Sequence, residues 1–139
     1  MRLLGLDIGE ARVGVAVSDP GRTIASPLAV LDARMLARSV APLRDLVEGY
    51  EAVGLVVGLP LGMSGSEGPQ AAHVRDVAAR YGRELHLPVT FADERLSSKS
   101  ASRAMSGGGM STKRQRGRLD MVAAALILQT YLDSQPKAE

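Results

Sequence analysis

The 139-residue sequence contains no cysteine, which removes disulfides, thiolate zinc sites and cysteine nucleophiles and fits a reducing compartment. Any metal bound by such a chain is expected to be held by oxygen. Tryptophan is absent, and three tyrosines with one phenylalanine (Tyr50, Tyr81, Tyr131 and Phe91) make up the aromatic content. The core must therefore be aliphatic, and a surface that binds bases by stacking them on rings has almost nothing to work with. Long hydrophobic runs are missing too: the longest fall well short of a membrane span. The opening MRLLGLDIGE has neither a sustained apolar stretch nor a small-residue cleavage pattern. These absences lead us to expect a cytoplasmic protein with no membrane partner. What is present, 45% hydrophobic and 23% charged residues, is enough to bury a core, and the length suits one domain over residues 1–139.

The net charge of +2 hides an uneven distribution. Between Arg95 and Leu119 stand seven basic residues (Arg95, Lys99, Arg103, Lys113, Arg114, Arg116 and Arg118) and no acid, leaving ten basic against fifteen acidic residues elsewhere. A local cationic excess opposed by the rest of the chain suits a polyanionic partner, although a solvated face would carry the same charges.

Hydrophobic patterning divides the chain into elements. Leu3–Gly9 and Arg12–Ser18 are short apolar runs separated by Gly9-Glu10-Ala11, which predicts a hairpin, and Asp19-Pro20-Gly21 supplies a turn into a third strand over Thr23–Leu31. A helical stripe runs from Ala33 to Tyr50, with Pro42 marking a break or a late start. The continuous apolar run Ala52–Gly58 reads as a strand buried on both faces. A Gly/Ser/Pro loop over Leu59–Pro69, a helix over Gln70–Leu85 and a last strand over Pro88–Ala92 follow. A short helix from Ser97 or Ser98 through Met105 is expected next, then a flexible basic loop over 106–118, a buried helix over Leu119–Leu132 and a tail over 134–139. This order predicts an α/β fold. Its mixed five-stranded sheet has antiparallel opening strands, then parallel βαβ crossovers, with helices on both faces.

Three carboxylates stand out. Asp7 lies inside LLGLDIG, where an ionised side chain is costly without a compensating cation, a rim position or backbone donors from the following turn. Glu94 follows a strand predicted to be parallel, where such sheets gather functional groups, though pairing with Arg95 is the plainer explanation. Asp120 opens the predicted last helix, where an acid also serves as a cap. If all three meet at one sheet edge, they suit a two-metal Mg2+ or Mn2+ site for phosphodiester hydrolysis, with the basic segment holding the polyanion. His73 and His86 lack the HExxH spacing, so helix-surface or capping roles are expected for both.

Four blocks, LDIGEARVGVAVSD (Leu6–Asp19), VVGLPLGMSGSEGPQA (Val56–Ala71), ADERLSS (Ala92–Ser98) and LDMVAAALILQTYL (Leu119–Leu132), together resemble the YqgF/RuvX family of pre-16S ribosomal RNA nucleases, also described as Holliday-junction-resolvase-like. The resemblance implies a ribonuclease H-like fold, with Asp7, Glu94 and Asp120 at the family's acidic positions and Mg2+ or Mn2+ as cofactor. It further implies maturation of the 5′ end of small-subunit ribosomal RNA, with branched DNA as the alternative substrate and a non-catalytic RNA-binding assembly factor as an alternative of another class. Two positions depart from the family pattern: Ala11 precedes Arg12 where a lysine is usual, and Gly62 stands where asparagine is common. On charge, Arg12, Arg95, Lys113, Arg114, Arg116 and Arg118 are candidates for nucleic-acid contact, by a monomer or a homodimer.

Overall fold

The computed structural model describes residues 1–61, 65–93 and 112–136, the last segment with side chains from Gly117 onward. Five strands form one sheet: β1 (Arg2–Ile8), β2 (Arg12–Ser18), β3 (Ala25–Asp32), β4 (Ala52–Leu59) and β5 (Val89–Asp93), in the order β3-β2-β1-β4-β5. The first three strands are antiparallel neighbours, whereas β4 runs parallel to both β1 and β5. The expected mixed sheet is therefore present. The register shifts where Val15 faces Ala29 and Ala16 faces Pro27, leaving Leu28 as an extra residue in β3, an edge strand where proline's missing N–H is tolerated.

Four helices are described. Two short ones, α1 (Ala33–Arg38) and α2 (Ala41–Tyr50), divide the predicted Ala33–Tyr50 stripe. Asp32 caps α1, its Oδ1 accepting from the backbone N–H groups of Arg34 and Met35 at 2.8 and 3.1 Å, and Pro42 sits in the first turn of α2, where its missing N–H costs nothing. The third, α3 (Pro69–Leu85), ends at His86, whose left-handed backbone closes the helix with an N–H donated to the Gly82 carbonyl, as a capping role requires. His73 is exposed on the same helix.

The last helix, α4 (Thr112–Ser134), differs from expectation. Residues 112–118, predicted as the second half of a flexible loop, are helical, and 106–111 lie outside the described residues, as does the short helix predicted before them. The run TKRQRGR is polar all round and so carries no apolar periodicity, yet Lys, Arg and Gln are good helix formers. Extending a helix already anchored by its packed half is far easier than nucleating one. Asp120 consequently sits within α4 and not at its head, and the tail begins after Ser134.

The sheet separates two cores. On one face Leu4, Leu6, Ile8, Val13, Val15, Leu55 and Val57 pack against Leu36, Leu43, Val74, Ala78 and Tyr81 from α1, α2 and α3. On the other, Leu3, Ala16 and Val56 pack against Ala124, Ala125, Ile127, Leu128 and Leu132 of α4. Helices thus cover both faces. Ile127 and Leu128 are fully buried, each contributing about 1.5–3 kcal/mol of burial free energy before ordering entropy is counted. Gln129 ties the far half of α4 to β3, its Oε1 accepting from the Ala25 N–H and its Nε2 donating to the Thr23 carbonyl, both at 2.9 Å.

Candidate active site at the carboxyl edge of the sheet

Alternation along β1 places Leu4, Leu6 and Ile8 in the first core, so Leu3, Gly5 and Asp7 face α4. Asp7 is partly buried and stands directly opposite Gly14 of β2. A Cβ on Gly14 would lie 2.5 Å from the carbonyl carbon of Asp120, closer still to its oxygen, and 3.1 Å from its Cβ. The helix therefore crosses the sheet in contact with the Gly14 backbone. Opposed residues of an antiparallel pair keep their Cβ positions roughly 4.5–5.5 Å apart, so the Cβ atoms of Asp7 and Asp120 lie within about 9 Å. Gly5 repeats the device one turn of α4 further on, where a Cβ would meet Leu128 Cβ at 2.7 Å and the Ala124 carbonyl oxygen at 2.9 Å. Asp120, Ala124 and Leu128, spaced by four, form the helix stripe seated on these two glycines.

Arg12 begins β2 on the same face, two residues before Gly14, and its Nε donates to Asp120 Oδ2 at 2.6 Å. The Arg12 side chain is 40% exposed and that of Asp120 22%, so the pair is open to water at the sheet edge. A diagonal strand position also puts Arg12 within side-chain reach of Asp7. The turn that delivers it is tight: Gly9 donates its N–H to the Arg12 carbonyl at 2.8 Å, and a Cβ on Gly9 would press on that oxygen at 2.9 Å.

Two of the three predicted carboxylates are thus neighbours. Glu94 and Arg95 lie outside the described residues. The described chain before them ends at Asp93, the last residue of β5, and the registers Leu6↔Val57 and Val57↔Phe91 align this strand end with the Asp7 end of β1. Among the described residues no group of three or more His, Asp or Glu side chains is placed to hold a metal. Lys113, Arg114 and Arg116 belong to α4, with side chains outside the description, and Arg118 is exposed on that helix one turn or less before Asp120. Sequence reasoning missed Gly5 and Gly14, which set the helix height. A glycine opposite a buried-strand acid was the available signal.

On the other face of the sheet, a cleft of about 190 Å3 opens beside the β1–β2 turn, lined by Ile8, Gly9, Arg34, His73, Arg80 and Tyr81 among others. Arg80 there is paired with Glu84 at 2.7 Å.

This strand order, with acids brought to the carboxyl edge of the parallel strands, is the ribonuclease H-like architecture. The solved Thermus thermophilus RuvC in complex with a Holliday junction substrate matches it with a TM-score of 0.56 at 16% identity, covering 91% of each chain. The fowlpox virus Holliday junction resolvase matches with a TM-score of 0.56 at 16% identity, covering 97% of this chain and 100% of the other. At the level of sequence, the family model described as "RuvX: Holliday junction resolvase" matches residues 1–134. Proteins named "Putative pre-16S rRNA nuclease" from Moorella thermoacetica and from Roseiflexus sp. are 47% and 42% identical over 133 and 134 residues, in each case 96% of this chain and 95% of the relative. The chain belongs to the RuvX family, a family of nucleases.

Proposed function

We propose that this protein is a divalent-metal-dependent endonuclease that hydrolyses phosphodiester bonds in the 5′-end maturation of pre-16S ribosomal RNA. In this reading Asp7, Glu94 and Asp120 are the catalytic carboxylates and the ligands of Mg2+ or Mn2+. The observation that carries it is the crossing of α4 over β2 at Gly14, which makes neighbours of two acids from opposite ends of the chain. The donor set fits the cofactor: carboxylate oxygens are the ligands hard divalent cations take, and the sequence holds no cysteine to offer a softer one. When bound, such ions lower the pKa of a water and neutralise charge developing on the phosphate. The chain's own residues hold Asp7 and Asp120 at the sheet edge, where the side chain of Asp120 is accessible to water. The basic run from Arg95 to Arg118 meets the remaining phosphates, with Lys113, Arg114, Arg116 and Arg118 carried on the first two turns of α4.

The names of the relatives favour ribosomal precursor RNA, and the description of the family model favours branched DNA as the second reading. The expected setting is the cytoplasm, with the protein acting as a monomer or homodimer. Cleavage of precursor RNA and of a four-way DNA junction should be measured side by side with Mg2+, with Mn2+ and with chelator. Asp7→Asn should lose at least about 100-fold in rate while keeping its fold and its nucleic-acid affinity. Full cleavage by that variant would refute the assignment, and salt-sensitive RNA binding with no product under any cation would favour a non-catalytic assembly factor.

A further inference from the structure

We infer that Arg12 is a positioning residue that exchanges partners: it holds Asp120 when no cation is bound and turns to a substrate phosphate once one is. The inference rests on the metal site proposed above. Arg12 donates to Asp120 through a single contact, Nε to Oδ2 at 2.6 Å, and not through the two-pronged guanidinium fork that makes such pairs persistent. Both side chains are accessible to water, at 40% and 22%, which keeps the pair weak and exchangeable. Asp7 and Asp120 carry like charge on one face of the sheet, and Arg12 enters that face from the start of β2, opposite Gly9 and diagonal to Asp7. A divalent ion drawing on the same carboxylate competes with the guanidinium for its lone pairs and repels its charge, so the two weaken one another's hold on Asp120. Displaced, Arg12 has a long side chain anchored at the rim of the sheet, with solvent on its outer side, and planar donors suited to a phosphate. Arg12 thereby orders the two binding events, cation first and phosphate second.

The test titrates Mn2+, without nucleic acid, into the wild-type protein, Arg12→Gln, Arg12→Lys and Asp120→Asn, by calorimetry and by the electron paramagnetic resonance of free Mn2+. Removing the competing guanidinium should tighten Mn2+ binding by about three- to tenfold in Arg12→Gln. Arg12→Lys, which retains a charge without the planar donor, should fall between it and wild type, and Asp120→Asn should bind much more weakly. In the presence of Ca2+ to hold the ligands, Arg12→Gln should lose affinity for a single-stranded RNA relative to wild type, by more than it does in chelator. Unchanged or weaker Mn2+ binding in Arg12→Gln, with Asp120→Asn impaired, would overturn the exchange and leave the metal site standing. Mn2+ binding that is absent in wild type, or indifferent to Asp120→Asn, would overturn the metal reading and the exchange together. Circular dichroism of each variant guards the comparison, and Arg12→Lys, the smaller change, decides the question should Arg12→Gln unfold.

Discussion

Replacing Gly14 with alanine adds one methyl group at the point where α4 crosses the sheet. The added carbon would stand 2.5 Å from the carbonyl carbon of Asp120, and nearer to its oxygen, against an ordinary carbon–carbon contact of about 3.5–4.0 Å. The obstacle is backbone, so no side-chain rotation relieves it, and α4 must lift by roughly 1 Å or β2 must bend away. Overpacking of this kind costs about 1–3 kcal/mol. For a chain of this length that is a fall in Tm of roughly 3–15 °C. The same displacement separates Asp120 from Asp7, and a misplacement of about 1 Å in a catalytic constellation can cost on the order of 100-fold in rate. Thermal unfolding followed by circular dichroism, with cleavage assayed well below the lowered Tm, measures both effects on one variant. Gly49→Ala supplies the contrast. Gly49 is exposed within α2 with nothing near the position of a Cβ, so alanine there should stabilise by about 0.5–1 kcal/mol and leave cleavage unchanged. A Gly14→Ala protein with wild-type Tm and wild-type cleavage would refute the reasoning, because it would mean that α4 is not seated on Gly14.

Leu128→Ala, at a fully buried position of α4 above Gly5, should destabilise by about 2–5 kcal/mol in urea unfolding, with the m-value unchanged. Asp19 offers a pH test. Its carboxylate accepts from the N–H groups of Ile24 and Thr23 at 2.9 and 2.6 Å, and these bonds hold its pKa below the usual 3.8. A folded pKa below the unfolded one gives stability that is present above about pH 4 and is lost as the pH falls through the folded value. Asp19→Asn should therefore flatten the acid limb of a stability-against-pH curve, and an unaltered limb would count against these bonds in solution.

Elements whose signal is local are legible in the order of neighbouring residues. Alternation in Arg12–Ser18, the apolar run Ala52–Gly58 and the stripe of α3 each reflect a side chain's preference for core over water within a few residues, and each strand and helix so predicted is present. Local chemistry likewise marks Asp7 as an acid in an apolar strand and Pro42 as a break or a late helix start, and the structure has both, a break after Arg38 and a new helix from Ala41. The first turns of α4 are polar on every side, bury nothing there and leave no periodicity to read, so the sequence predicts a helix head at Asp120 where the structure has a helix interior. Long-range packing, by contrast, sets how high and in what direction α4 lies across β1 and β2. That depends on Gly5 and Gly14 meeting residues at the other end of the chain, and on the pairing of Arg12 with Asp120, 108 residues away. Contacts of that separation arise from the packing of whole surfaces, and no window of neighbouring residues contains the shape of both.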